Sequence, residues 1–335
     1  MERQPFPADE KKTMIIKAEE ETDPNYGSKP EDRAPLINYI NHGIINLDKP
    51  IGPTSHEVVS WVKKILNIPK AGHSGTLDPN VSGVLPIGLG KATKVMRVLL
   101  TAGKEYVSII KFHDNIDLNK IKWAMHIFTT EIYQRPPLKS SVARVLRKRR
   151  IYYIDILDTN LDDKLILFKV GCESGTYIRK LCYDIGEVLL VGAHMAELRR
   201  TRVGKFDEKN LITLQDLNDA IYIYREEANE KYLRKIIQPY ELAVMHMKKI
   251  IIRDTAIDSI CHGADLGANG VLSLDASIEK GDLVAIMSQK NELVALAQVF
   301  HGSRKIASLK SGLIAKTKRV FMERNTYPYF KKNKT

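Results

Sequence analysis

From Lys248 onward the chain is a succession of short apolar runs, at Ile250 to Ile252, Gly270 to Leu274, Leu283 to Met287, Leu293 to Val299 and Gly312 to Val320, separated by Gly and Asp turns. Closely spaced short strands bury their apolar faces by curling into a small β-barrel. Such a barrel accounts for only part of a 335-residue chain, so one large and one small domain are expected rather than a single core. The predicted division is an extended arm over 1–36, a large domain over 37–247, the small barrel over 248–326 and a basic tail over 327–335. No fixed-period repeat marks a solenoid or propeller.

The arm is polar, with prolines at 5, 7, 24, 30 and 35, and has too few apolar residues to build a core. Gly43 to Lys49 then reads as a buried strand closed by a Pro-Ile-Gly-Pro turn. Thr54 with Glu57 fits a capping box, and Val58, Val59, Val62, Ile65 and Leu66 share one helical face. The density of Gly and Pro predicts loop-dominated structure from Gly72 to Gly90. Strands are expected at Glu105 to Phe112, Ile151 to Leu157 and Leu165 to Val170, and helices from Tyr177 to Leu190 and near Leu214 to Ile236. Strands and helices do not alternate regularly, so the large domain is α+β and not doubly wound.

Lys and Arg number 52 against 40 Asp and Glu, a formal charge of +12, which favours phosphate-rich or anionic-membrane partners. A solvated surface laced with Lys and Glu has the same balance. Cys172, Cys182 and Cys261 lack the spacing of a zinc site or disulfide framework and read as reduced, buried apolar residues. No segment resembles a signal peptide or reaches the roughly 20 apolar residues of a membrane span. A cytoplasmic protein with no metal and no membrane role is expected.

The special residues gather in three places. In His73-Ser74-Gly75-Thr76-Leu77-Asp78-Pro79, Pro79 restricts Asp78 to extended backbone, which either presents a carboxylate or caps a turn. His73 is a candidate site residue or a ring hydrogen-bonded into the loop. In Glu173-Ser174-Gly175-Thr176-Tyr177-Ile178-Arg179, a strand end meets a helix start capped by Ser174 or Thr176, and Arg179 either pairs with an anion or lies on the surface. Arg199, Arg200 and Arg202 crowd a third stretch and, like the basic run Ala143 to Arg150, suit an RNA backbone or a solvated face.

Together, Gly72 to Pro79 with Gly83-Val84-Leu85-Pro86, Lys104-Glu105-Tyr106, Ser174 to Arg179, Asp184-Ile185-Gly186, Ala193-His194 and Leu198-Arg199-Arg200-Thr201 resemble the motifs of the TruB family of pseudouridine synthases. Asp23-Pro24-Asn25-Tyr26-Gly27, Pro30 to Arg33, Gln134 to Ser140 and Thr326-Tyr327-Pro328 resemble its archaeal and eukaryotic dyskerin branch. Ile260 to Ala264, Gly270-Val271 and Lys280-Gly281-Asp282 are similar to a PUA domain. Ser141 stands where that pattern has Ala, and His113-Asp114-Asn115 where it has His-Gly-Asp.

The resemblance implies a mixed-sheet catalytic domain plus a PUA barrel and, without a cofactor, isomerisation of uridine to pseudouridine. It implies Asp78 as the essential carboxylate, Arg179 as its ionic partner and Tyr106 as the ring that stacks on the target uracil and helps remove the C5 proton. His73, Leu198 and Tyr177 would line the place of a flipped base, and Arg135, Lys139, Arg144, Arg147, Arg199, Arg200 and Arg202 would bind RNA backbone. Implied partners are transfer RNA, ribosomal RNA, an H/ACA guide RNA and small subunits of zinc-ribbon-like, glycine-arginine-rich and kink-turn-binding type. A stand-alone synthase for the T-loop of transfer RNA and an inactive RNA-binding scaffold are the competing functions.

Overall fold

The computed structural model describes residues 4–136 and 143–329. The chain divides into two compact units, one comprising 1–9 and 44–237 and the other 10–43 and 238–335. In the second unit the arm supplies strand β1 (Met14–Ile16), and helix α1 (Leu36–Asn41) starts at its last residue.

The first unit contains β2 (Gly43–Lys49), α2 (Ser55–Leu66), β3 (Ala71–His73), β4 (Ser82–Leu89), α3 (Met96–Thr101), β5 (Lys104–Phe112), α4 (Leu118–Ile127), β6 (Glu131–Gln134), β7 (Arg147–Asn160), β8 (Leu165–Cys172), α5 (Ile178–Val188), β9 (Ala193–Val203), β10 (Phe206–Asp207), α6 (Leu214–Glu227) and α7 (Lys231–Ile236). Its sheet runs β2-β4-β9-β5-β8-β7-β6, with β3 paired to β4 and β10 to β9. The β4–β9 pair is parallel and β5 lies antiparallel to both β8 and β9, so the sheet is mixed.

Ile178, Leu181, Cys182 and Ile185 recur at helical spacing and place one face of α5 on Ile110, Phe168 and Val170 of the sheet. A side chain at Gly186 would lie 2.2 Å from the Ala193 nitrogen, and its absence lets α5 dock against the start of β9. All three cysteines are free and buried, and burial pushes each thiol up to about 12.

The region 72–90 corrects the sequence reading. Its second half is the buried strand β4, paired with β2 along Gly83 to Gly88. Gly and Pro count as strand breakers, but here neighbouring strands supply the pairing and Val84, Leu85, Ile87 and Leu89 are fully buried. The helical stretch 214–236 consists of two helices, because Ala228 closes α6 in the left-handed conformation at φ 52°. The N-cap of α5 is Tyr177, whose own side chain makes no capping bond, in place of Ser174 or Thr176, and the Thr176 hydroxyl donates to the Glu173 carbonyl.

In the second unit, after β11 (Ile237–Pro239), follow β12 (Lys249–Ile252), α8 (Asp254–Cys261), β13 (Leu266–Gly267), β14 (Val271–Asp275), β15 (Leu283–Met287), β16 (Leu293–Val299), α9 (Ser303–Ser308) and β17 (Leu313–Val320). The sheet order is β1-β14-β12-β15-β16-β17-β13 around a core that includes Ile250, Leu274, Ile286, Val294 and Ile314. The arm is thus an edge strand and more: Thr22 and the Asp23 N–H donate to Asp254, and the Ser28 N–H and Tyr327 hydroxyl donate to buried Glu292. In the first unit, Phe6 and Ala8 of the same arm pack on Tyr153.

Candidate active site

Asp78 stands on a short loop between β3 and β4, and the loop is stapled from beneath. The buried Ser55 hydroxyl both donates to the Leu77 carbonyl (3.1 Å) and accepts from the Leu77 N–H (2.9 Å). Lys49, fully buried at the end of β2, donates to the carbonyls of Pro50, Pro79 and Val81 at 2.8, 3.3 and 3.0 Å. Burial holds the Lys49 ammonium below its ordinary pKa, and the Asp78 charge opposes that shift. The Val81 N–H donates to the Asp78 carbonyl and tightens the turn.

Across the β5–β9 ladder Tyr106 pairs with Arg200 and Ser108 with Leu198, so alternation puts Tyr106, Leu198 and Arg200 on one face. Arg200 is 2% exposed; its Nε donates to the Val84 carbonyl at 2.8 Å and its Nη2 to the Gly75 carbonyl at 3.3 Å. Burial pushes the Tyr106 phenol up to about 12, although Arg200 pulls it the other way. The phenol is therefore protonated at neutral pH, which suits a stacking surface better than a base.

His73, at the end of β3, lies edge-on to His56 with ring centroids 5.0 Å apart, and its Nδ1 accepts from the Gly75 N–H. Burial, then the His56 and Arg200 charges, lower its pKa to about 4. The unfolded chain protonates this ring near 6.5, so the stability it contributes is complete above pH 6.5 and is lost as pH falls through 4. Between pH 7.5 and 4.5 the wild type is expected to lose about 1–3 kcal/mol more than His73→Phe in denaturant unfolding. Parallel stability curves for the two proteins contradict a neutral His73.

Arg179, the second residue of α5, reaches Asp78 with Nη2–Oδ2 at 3.4 Å, and both side chains are nearly two-thirds exposed. Such a pair contributes less than about 1 kcal/mol to stability. The loop architecture therefore holds Asp78 up to solvent at no benefit to the fold. Tyr177, half-buried, precedes it as the N-cap of α5.

The expected basic surface divides. Arg135 and Arg144 are exposed and Arg147 is half-buried at the start of β7, while Lys139 and Ser141 lie outside the described residues. The run 199–202 is corrected as a free basic face. Arg200 is spent on loop carbonyls inside the unit. Arg199 forks onto Asp48 (3.0 and 2.9 Å) and reaches Glu208 at 2.7 Å, and Arg202 pairs with Asp9 and lies 4.3 Å from the Phe6 ring centroid. Strand alternation and nearby carboxylates explain this; a residue count could not.

Two supports of the site went unread in the sequence. Lys49 occupies the same phase of β2 as Ile45 and Leu47, and a lysine in phase with buried apolar residues was a usable signal. Asp48, the bidentate partner of Arg199, had none, because its partner is 151 positions away.

Comparison with known proteins then gives consistent matches along the chain. A model of the TruB family pseudouridylate synthase N-terminal domain matches residues 63–121, and one of the tRNA pseudouridylate synthase B C-terminal domain matches 179–245. The DKCLD (NUC011) domain matches 3–59 and the PUA domain 248–321. The chain is 53% identical over 323 residues to the probable tRNA pseudouridine synthase B of Methanopyrus kandleri, covering 96% of this chain and 95% of that one. It superposes on a chain of a Cbf5-Nop10-Gar1 complex with TM-score 0.93 and 52% identity, covering 98% and 99% of the two chains. The corresponding values for an H/ACA RNP bound to a substrate RNA containing 2'-deoxyuridine are 0.90, 50%, 97% and 99%.

Proposed function

The chain belongs to the TruB family of pseudouridine synthases, and on that premise we propose that it is the catalytic subunit of a guide-RNA-dependent H/ACA complex in which Asp78 acts on the target uridine. In this reading the N1–C1′ bond breaks, the uracil turns within the site, C5 bonds to C1′, and the proton leaving C5 is balanced by one gained at N1. Asp78 is the carboxylate beside the sugar or ring, with Arg179 keeping it oriented. Tyr106 and Leu198 provide the faces against which the base turns without escaping. His73, neutral, and Tyr177 line the space from which the base is drawn. Arg135, Lys139, Arg144 and Arg147 bind RNA backbone, and the PUA domain grips RNA. Small proteins corresponding to the Nop10 and Gar1 of the similar complex complete the assembly, which acts in the cytoplasm.

The observation that carries this reading is the nearly full-length likeness, at 97% and 99% coverage, to a chain of an H/ACA RNP holding substrate RNA. The curated relatives' description as probable tRNA pseudouridine synthase B supports a second reading, guide-free action on transfer RNA. Purified protein is incubated with transfer RNA, and separately with guide, substrate RNA and partner proteins, and pseudouridine is mapped by site. Guide-dependent conversion at least about tenfold faster is expected. Equal turnover of transfer RNA without guide overturns obligate dependence.

A further inference from the structure

Gln134, the last residue of β6, is 2% exposed, and its side-chain amide is committed to a single backbone unit. Nε2 donates to the Tyr177 carbonyl at 3.2 Å, and Oε1 accepts from the Tyr177 N–H at 2.9 Å. Tyr177 is where α5 begins, with φ −98° and ψ 104° and no side-chain cap. A residue 43 positions upstream thus satisfies the N–H of the N-cap residue, the bond that the Glu or Gln of a capping box makes from within the helix. Arg179 follows two residues later, with its guanidinium at Asp78.

We propose that Gln134 is a positioning residue for the Asp78–Arg179 pair, acting by fixing the first turn of α5. The inference rests on the reading of those two residues as the reacting carboxylate and its partner. Apolar packing through Ile178, Leu181, Cys182 and Ile185 holds α5 on the sheet, but such contacts are not directional. A donor and an acceptor closing on the same residue fix both the rotation and the translation of the helix start. With Arg179 exposed, its backbone origin sets where its guanidinium spends its time. Displacement of a positioning group by about 1 Å costs on the order of a hundredfold in rate.

Gln134→Met fills much the same space without donor or acceptor. It is compared with Arg179→Lys and the double variant, as full chains with whichever RNA and partner proteins the wild type turns over. Rates are taken in single turnover well below each melting midpoint, with RNA affinity measured separately. Should Gln134→Met not fold, Gln134→Glu, which keeps the acceptor for the Tyr177 N–H, takes its place. The expected result is a loss of about 10–100-fold in kcat with RNA affinity within about twofold. That loss should shrink to about threefold or less in the Arg179→Lys background, because groups acting through one another are not additive. An undiminished loss in that background, or a loss of RNA affinity alone, overturns the role of Gln134. A wild-type rate for Arg179→Lys by itself sinks the reading of the pair, and the inference with it.

Discussion

Asp78→Asn should abolish pseudouridine formation, lowering single-turnover conversion by at least about 10⁴-fold while RNA affinity and melting temperature stay near wild type. Asn keeps the shape and removes only the negative charge. The loop that carries it is held by hydrogen bonds from Lys49, Ser55 and Arg200 to backbone carbonyls, none of them to the Asp78 side chain, whose charge acts on Lys49 only through space. The ionic partner of Asp78, Arg179, is 63% exposed, so losing the pair costs less than about 1 kcal/mol. Activity lost without stability lost is therefore the signature, read by site-resolved pseudouridine mapping beside a thermal melt and a binding titration. Wild-type conversion by Asp78→Asn removes the carboxylate from the chemistry. Equal, negligible conversion by both proteins under every guide and partner combination makes the chain a binding scaffold.

The largest structural effect is expected from Gly83→Ala. Gly83 has φ +105°, which L side chains rarely adopt, and an added Cβ would lie 2.1 Å from the Arg200 carbonyl oxygen. That oxygen cannot move away easily, because Gly83 and Arg200 are register partners in the parallel β4–β9 pair. Backbone strain and overpacking each cost about 1–3 kcal/mol, so a loss of about 2–6 kcal/mol is expected, a large share of a domain's stability. Gly52→Ala is the control, since Gly52 has a similar φ of +113° but open space where its Cβ would be. Calorimetry should show Gly83→Ala melting well below Gly52→Ala. Equal midpoints mean that strain alone, and not the close approach of β9, makes glycine necessary at 83.

Local pattern made much of this protein legible. The capping box of Thr54 and Glu57 forms as its spacing requires, and the strands Leu283–Met287 and Leu293–Val299 begin and end where their apolar runs do. Asp78 and Arg179 stood out because Gly, Pro and a helix start surround them within a few residues. Their meeting at 3.4 Å, across 101 positions, could be expected only through resemblance to a family.

What the sequence alone determined were properties that neighbours along the chain decide: turns, caps, strand and helix periods, and the sharp change in texture after Lys248. Tertiary structure decided whatever depends on partners far along the chain. It turned Gly-rich 82–89 into a central strand and drew the polar arm onto the second unit as an edge strand. It made Arg200 an internal brace under the Asp78 loop while leaving Arg135 exposed, although both are arginines in basic stretches. The physical reason is that a charged side chain's role follows from the carbonyls and carboxylates that folding brings within 3–4 Å, and linear order does not encode those distances.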